Sequence, residues 1–324
     1  MKDIILTGDR PTGKLHLGHY FGSLKNRLAL QEKTDNLYIL IADTQVLNND
    51  ISKSKNVKEN TLSLMRDYLA IGLDPKKVTF ILQSQISELF ELSSYLGNIT
   101  PLSLVMRNPT IKTENKTYNN SLNMGFLNYP ISQTADIILF NANIVPVGLD
   151  QVPILQFAND ILIKFNHLFN VNYFREIKPL LSHTPRVVGI DGTQKMSKSL
   201  DNAIYLSDNK EELKRKINSL YTDEKHIKIT DPGCVEGNVV FMFLDLIMTD
   251  IEKLNELKEH YRRGGLGDRF LKDLLFNELY SLLSTFDHNI YSNNDLHDIL
   301  SEGTSRAKMI SEQRMFEIKE IIFQ

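Results

Sequence analysis

Up to Asn202 the chain alternates short apolar runs with longer stretches of helical periodicity. The runs Ile4 to Thr7, Leu37 to Ala42, Val78 to Gln83, Ile144 to Val147 and Arg186 to Ile190 are β-branched or aromatic and are closed by Gly, Asp, Asn or Ser, which predicts strands. Between them, Gly18 to Glu32, Val57 to Ile71, Glu88 to Gly97, Tyr129 to Asn141 and Asp150 to Phe165 predict helices, with Asn56, Asp74-Pro75 and Ser87 as boundary residues. This alternation is the sequence form of a parallel sheet covered by helices. After Asn202 the strand-like runs stop, and Lys210 to Leu220, Val239 to Thr249, Ile251 to Arg262, Gly267 to Ser284 and Thr304 to Ile322 all read as helices. The change marks a second, helical domain. No internal repeat is found, and Ser292 to Asp295 reads as a short polar turn.

Composition narrows the class without naming a chemistry. A chain of 324 residues with 42% hydrophobic content can bury a substantial core. Its 37 Lys+Arg against 40 Asp+Glu argue against a wholly basic surface for non-specific nucleic-acid binding, while leaving room for local patches. The lone Cys234 cannot form an internal disulfide or a cysteine-only metal site, so the chain reads as reduced and cytoplasmic, with Cys234 expected as a small buried hydrophobe. Met1-Lys2-Asp3 followed by Ile4-Ile5-Leu6 has neither the length nor the cleavage site of a signal peptide, and no stretch approaches a membrane span. There is no tryptophan.

Two segments carry chemistry. The first strand runs into Thr7-Gly8-Asp9-Arg10-Pro11-Thr12-Gly13-Lys14-Leu15-His16-Leu17-Gly18-His19 and then a helix. A Gly-rich turn between a strand's carboxyl end and a helix is where nucleotides bind in open α/β sheets. The glycine spacing fits neither the dinucleotide fingerprint nor a P-loop. Instead His16 and His19 flank Gly18 at the helix start, where donating imidazoles can bind phosphate oxygens and glycine lets adenine approach the backbone. Taken alone, a pair of surface histidines at a helix cap is an equally good reading. The second segment, Lys195-Met196-Ser197-Lys198-Ser199, puts two lysines three apart in a polar loop after the last strand run. Such lysines can reach a triphosphate from the far side and tighten as charge moves onto pyrophosphate. A solvated basic loop would be the better reading of that segment alone, and the paired histidine turn overrides it.

Together these segments resemble the HIGH and KMSKS motifs of class I aminoacyl-tRNA synthetases. Within that class, Gly8 to Gly13, Asp136-Ile137-Ile138-Leu139, Ile144 to Gln151, Asp231 to Asn238 and Arg262 to Asp268 resemble the tryptophanyl-tRNA synthetase family, so the likeness covers nearly the whole chain. It implies an α/β fold, a Rossmann-type parallel sheet with both motifs and a helical C-terminal domain. The expected division is a catalytic domain over 1–188, the KMSKS loop over 189–202, and a helical anticodon-binding region over 203–324 whose last helix is a candidate to pack back on the catalytic domain.

The resemblance also assigns residues. His16, His19, Lys195 and Lys198 are expected to be catalytic. Asp9, Arg10, Thr12, Gly18, His19, Gly148, Asp150, Val187, Lys195, Met196, Ser197 and Lys198 are expected to bind ATP, with Asp150 on its ribose, although a helix cap is the other role open to that carboxylate. Leu6, Gly8, Tyr129, Gln133, Asp136, Val147 and Gln151 are expected to hold tryptophan. Tyr129, Gln133, Asp136 and Phe140 fall on one helix face at spacings of four, three and four, and a carboxylate in so apolar a stripe needs a partner. By resemblance, Asp136 accepts the indole N–H, Gln133 stands where many relatives carry methionine, and Arg10 where many carry glutamine. Lys112 reads as a pyrophosphate ligand or a solvent-facing lysine, and Lys214-Arg215-Lys216 as an RNA phosphate contact or a solvated face. The partners implied are L-tryptophan, Mg-ATP, tRNA(Trp) and a second subunit of a homodimer, with no zinc, iron–sulfur cluster or other metal held by protein side chains. A tyrosine–tRNA ligase, a nucleotidyltransferase with an H-x-G-H turn and a non-catalytic RNA-binding paralogue are the rival readings.

Overall fold

The computed structural model describes residues 3–48, 51–109, 111–113, 123–181, 187–223 and 226–324. Five parallel strands, β1 (Ile5–Asp9), β2 (Leu37–Ile41), β3 (Val78–Leu82), β4 (Ile144–Val147) and β5 (Lys178–Leu181), lie in the order β3-β2-β1-β4-β5. In register, Ile5 pairs with Leu37 and with Ile144, and Leu37 with Val78. The chain grows outward from β1 through β3 and then returns to β4 on the other side. That reversal opens a crevice beyond the carboxyl ends of β1 and β4, where open α/β sheets bind ligands.

The helices are α1 (Leu17–His19), continued through a π-type turn (Tyr20–Leu24) into α2 (Lys25–Gln31), then α3 (Val57–Ala70), α4 (Ser87–Ile99), α5 (Leu102–Arg107), α6 (Met124–Ile138) and α7 (Val152–Leu168). Beyond the KMSKS loop follow α8 (Lys210–Asn218), α9 (Val239–Ile247), α10 (Ile251–Arg263), α11 (Asp268–Leu283) and α12 (Asn293–Ile322). Because successive strand side chains point to opposite faces, Ile39, Ile41 and Phe80 join one core with Leu64, Met65 and the helical half. Leu40 and Ile81 join the other with Leu89, Ile131 and Phe157. Both faces are therefore covered, and the strands read as continuous apolar runs.

Helix α12 closes the β3 edge. Its Leu296 and Leu300 belong to the first core, and its Ala307, Met315 and Ile318 to the second. At the crossing, a Cβ on Gly303 would lie 2.2 Å from the Phe80 carbonyl oxygen, so only glycine fits. Thr304 Oγ1 accepts the Leu82 amide at 3.0 Å, which satisfies an edge donor.

Three expectations are corrected. The fifth strand is β5, not Arg186 to Ile190: Lys178 pairs with Ile144 and Leu181 with Val147. Its Lys178-Pro179 start hid it, and proline is tolerated there because β5 is an edge strand. Arg186 lies outside the described residues, while Val188 makes only an isolated bridge to Lys195. The last helix starts at Asn293, and the presumed polar turn is its capping box, with Ser292 Oγ accepting the Asp295 amide and Asp295 accepting the Ser292 amide. Cys234 is exposed rather than buried, because its turn is tied back through its own amide to Asp223 Oδ2 at 2.8 Å.

Candidate functional site

The carboxyl end of β1 meets α2 through a buried ion pair. Asp9 Oδ2 accepts from Arg27 Nη1 at 2.7 Å and from the Tyr68 hydroxyl at 2.5 Å, and Arg27 is almost wholly buried. Burial opposes charge on Asp9, but the Arg27 charge and the two hydrogen bonds outweigh it and hold the carboxyl down at about 2. Asp9 thus borders the crevice with its charge already matched. Gly8 is needed here because a Cβ would stand 2.5 Å from the Leu40 carbonyl oxygen.

The HIGH turn is fixed on several sides. The Leu15 amide donates to Asp67 Oδ2 at 2.7 Å, Leu206 donates to the Leu15 carbonyl at 3.0 Å, and Leu17 donates to Ile204 at 2.9 Å. The His16 amide donates to His19 Nδ1 at 3.2 Å, and the two rings lie 3.8 Å apart. Burial drives both imidazoles down, His16 to about 3 with help from His19 and then from the Lys198 and Lys195 charges, and His19 to about 4, where the Asp9 charge opposes burial and Lys198, Arg27 and Lys195 add to it. Both are neutral at pH 7. Since Nδ1 of His19 accepts a hydrogen bond, its proton sits on Nε2, free to donate. A Cβ on Gly18 would meet the His16 ring at 2.9 Å, so the glycine serves the histidine's placement.

The KMSKS loop is hung on Asn202 and Val187. Asn202 Oδ1 accepts the Ser197 amide at 2.8 Å and its Nδ2 donates to Asp191 at 2.7 Å, while the Met196 amide donates to the Val187 carbonyl at 3.1 Å. Lys198 Nζ crosses to the Gly13 carbonyl at 2.8 Å and to Thr12 Oγ1 at 3.3 Å. A cavity of about 710 Å³ lies between the two motifs, lined by Thr12, His16, Gly18, His19 and Lys195 to Ser199. Lys53, Asn56 and Asn60 also line it.

A second cavity of about 450 Å³ brings together Leu6, Gly8, Tyr129, Gln133, Asp136, Val147 and Gln151, with Asp9, Arg10 and Gly148 at its border. The partner that Asp136 needs is a pair of amides. Gln83 Nε2 donates to both of its oxygens, at 2.8 and 2.9 Å, and Gln45 Nε2 donates to Oδ2 at 2.7 Å. Burial pushes the Asp136 carboxyl up to about 7, and those hydrogen bonds only partly oppose it. Thr44 Oγ1 donates to Gln83 Oε1 at 2.6 Å and so sets which way that amide points. Sequence reasoning missed Gln45, Gln83 and Thr44; the available signal was that Gln83 closes the third predicted strand, at a carboxyl edge.

Not every expected residue converges. Asp150 and Val187 line neither cavity. Asp150 sits in a 3-10 turn (Leu149–Gln151) and accepts from Gln151 Nε2 at 3.1 Å; the residue capping α7 is Gln151, so Asp150 is not its cap. Val187 is buried behind Met196. Lys112 is exposed and lies at neither cavity. Each residue of Lys214-Arg215-Lys216 already has a carboxylate, in Asp273, Glu212 and Asp208 respectively, and Lys216 is buried.

A parallel sheet thus carries a neutral His pair and a lysine loop on one cavity at its crevice. The family described as tRNA synthetases class I (W and Y) matches residues 2–284, and the chain belongs to that family. Within it, the chain is 45% identical over 330 aligned residues to the tryptophan–tRNA ligase of Clostridium longisporum, covering 99% of this chain and 97% of that protein. It is 43% identical to the enzyme of the same name from Streptococcus pneumoniae, covering 98% and 97%. The tryptophanyl-tRNA synthetase of Campylobacter jejuni, solved with ADP and tryptophan, matches with a TM-score of 0.84 at 30% identity over 99% of each chain. That of Mycoplasma pneumoniae matches at 0.78 and 26% identity, over 100% of this chain and 98% of that one.

Proposed function

We propose that this chain carries out the tryptophan–tRNA ligase reaction with its substrates divided between the two cavities. The observation that carries the amino-acid assignment is the buried Asp136 carboxylate in a pocket that also presents Leu6, Phe126, Ile137 and Val147, an acceptor suited to a ring N–H. Tyr129, Gln133, Leu6 and Val147 would enclose the ring, and Gln151 at the mouth would meet the amino group. ATP would lie along the crevice, its adenosine toward Gly18, Gly148 and Asp150 and its triphosphate in the cavity between the motifs.

In the first step the tryptophan carboxylate attacks the α-phosphorus, an aminoacyl-adenylate forms, and pyrophosphate leaves with the bonding electron pair. Neutral His16 and His19 donate hydrogen bonds, while Lys195 and Lys198 match the charge growing on the leaving group. No covalent enzyme intermediate is required. In the second step a ribose hydroxyl of the tRNA's terminal adenosine takes the acyl group and displaces AMP. Mg2+ would enter as the ATP complex; among the described residues there is no cluster of His, Cys, Asp or Glu suited to a metal.

The region after Asn202 would meet the anticodon, and a homodimer would let one subunit hold the acceptor end and its partner the anticodon. Among the described residues no helix is long and apolar enough to cross a membrane, and a cytoplasmic setting fits the exposed free thiol of Cys234. Pyrophosphate exchange into ATP, assayed with each amino acid in turn, tests the reading. Exchange should appear with tryptophan alone; exchange driven by tyrosine would overturn it.

A further inference from the structure

The cavity between the motifs has an electrostatic asymmetry that the two motifs do not explain. Its lining includes Lys53, Lys195 and Lys198 and, among the described residues, no carboxylate. Lys53 comes from an unrelated element, the 3-10 turn Ile51–Asn56 that leads into α3, and lines the same cavity as Lys195 and Lys198. Its ammonium has no ion-pair or hydrogen-bond partner among the described residues, whereas Lys77, Lys214, Lys216, Lys258 and Lys319 each have a carboxylate. Like charges lining one cavity repel one another; Asp67 and Asp9 offset part of that at Lys198, and a bound anion would offset more.

The same wall presents further anion-binding groups. Asn56 is the N-cap of the 14-residue α3, yet its side chain makes no capping hydrogen bond, and both Asn56 and Asn60 line the cavity. The positive end of α3 and two amides therefore stand beside Lys53. The first-turn carboxylate of that helix, Glu59, is not among the lining residues.

We propose that Lys53 binds the β- and γ-phosphates of ATP and the leaving pyrophosphate in the cavity that it shares with Lys195 and Lys198. The proposal rests on the function stated above and adds a third lysine to its phosphate site. As the Pα–O bond to the leaving group breaks, negative charge accumulates on pyrophosphate, and the Lys53 ammonium matches it with no proton transfer.

Three variants test this. Lys53→Ala removes the charge, Lys53→Arg keeps it, and Lys55→Ala removes a charge from the same turn that does not line the cavity. Two readouts are compared: calorimetric affinity for pyrophosphate and for AMP, and kcat and KM for ATP in tryptophan-dependent exchange. A charged hydrogen bond to phosphate is worth about 10- to 100-fold, so Lys53→Ala should lose that much pyrophosphate affinity and ATP kcat/KM while AMP binding stays put. Lys53→Arg should recover most of the loss, and Lys55→Ala should match wild type. Unchanged pyrophosphate affinity in Lys53→Ala, or equal losses in Lys53→Ala and Lys55→Ala, overturns the proposal. If wild type shows no tryptophan-dependent exchange, the functional reading fails on its own, and pyrophosphate affinity still decides whether Lys53 is a phosphate ligand.

Discussion

Lys198 spans the crevice to the Gly13 carbonyl, 2.8 Å away, so one KMSKS lysine is latched onto the opposing turn. Burial lowers its pKa, and Asp67 and Asp9 nearby partly restore it. Among the described residues Lys195 has no such bond. The two lysines therefore start the reaction from different states, although both are placed to meet the same leaving group.

Replacing either lysine by alanine should slow adenylate formation by about 100- to 1,000-fold, the usual cost of losing an oxyanion-type contact, with tryptophan binding little changed. Only Lys198→Ala should also free the loop in the absence of ligand, seen as faster amide exchange around Ser197. Wild-type single-turnover rates in both variants would remove these lysines from the mechanism.

The Asp9–Arg27–Tyr68 group makes a separate prediction about stability. The folded pKa of Asp9, about 2, lies below its unfolded value, so its contribution is present above about pH 4 and is lost as pH falls toward 2. That shift corresponds to about 2 kcal/mol. Arg27→Leu leaves the part-buried Asp9 carboxylate without its cation and should cost less than the roughly 3 to 5 kcal/mol of a fully buried pair, whereas Asp9→Leu combined with Arg27→Leu should recover much of the loss. Denaturant melts from pH 2 to 7 measure both effects; a double variant no more stable than Arg27→Leu alone would refute the pairing argument.

The residues that announce themselves in the sequence are those with a local signal. Strands β1 to β4 follow apolar runs, and the two motifs stand out because histidine and lysine are rare in such turns. Strand β5 opens with Lys178-Pro179, which gives an edge strand no apolar signature. Gln45, Gln83 and Lys53 carry no periodicity, and they become site residues only when the parallel order β3-β2-β1-β4 brings distant loops to one end of the sheet. Arg27 is similar: within its helix it reads as an ordinary charged residue, and only packing shows that it is nearly wholly buried beside Asp9.

Because the chain contains no tryptophan, any indole emission excited beyond tyrosine absorption comes from ligand. Tryptophan should therefore show a saturable change in emission when titrated with the protein, and a further change when ATP converts it to the adenylate. A flat titration at concentrations that support exchange would count against tryptophan as the substrate.

Asp136 governs the last prediction. Its carboxyl is pushed up to about 7 because burial outweighs the hydrogen bonds from Gln83 and Gln45. An indole N–H requires the ionised acceptor, so tryptophan affinity should be level above about pH 7.5 and fall by about tenfold per unit well below 7, as the linkage of proton release to binding demands. Asp136→Asn should flatten that dependence. It should also gain stability relative to wild type as pH rises from 4 to 7, since a carboxyl whose folded pKa is raised costs nothing below its unfolded pKa and its full penalty above the folded one. Asp136→Ala leaves both glutamine amides without an acceptor and should lower kcat/KM for tryptophan by about 2 to 5 kcal/mol while sparing ATP binding. It should also narrow the gap to tyrosine and phenylalanine, because the unpaired carboxylate that rejects them is gone. Gln133→Met, at the pocket wall, should be mild by comparison. Equal loss of ATP and tryptophan binding in Asp136→Ala, together with lowered thermal stability, would make Asp136 a structural residue and leave the choice of tryptophan resting on the relatives alone.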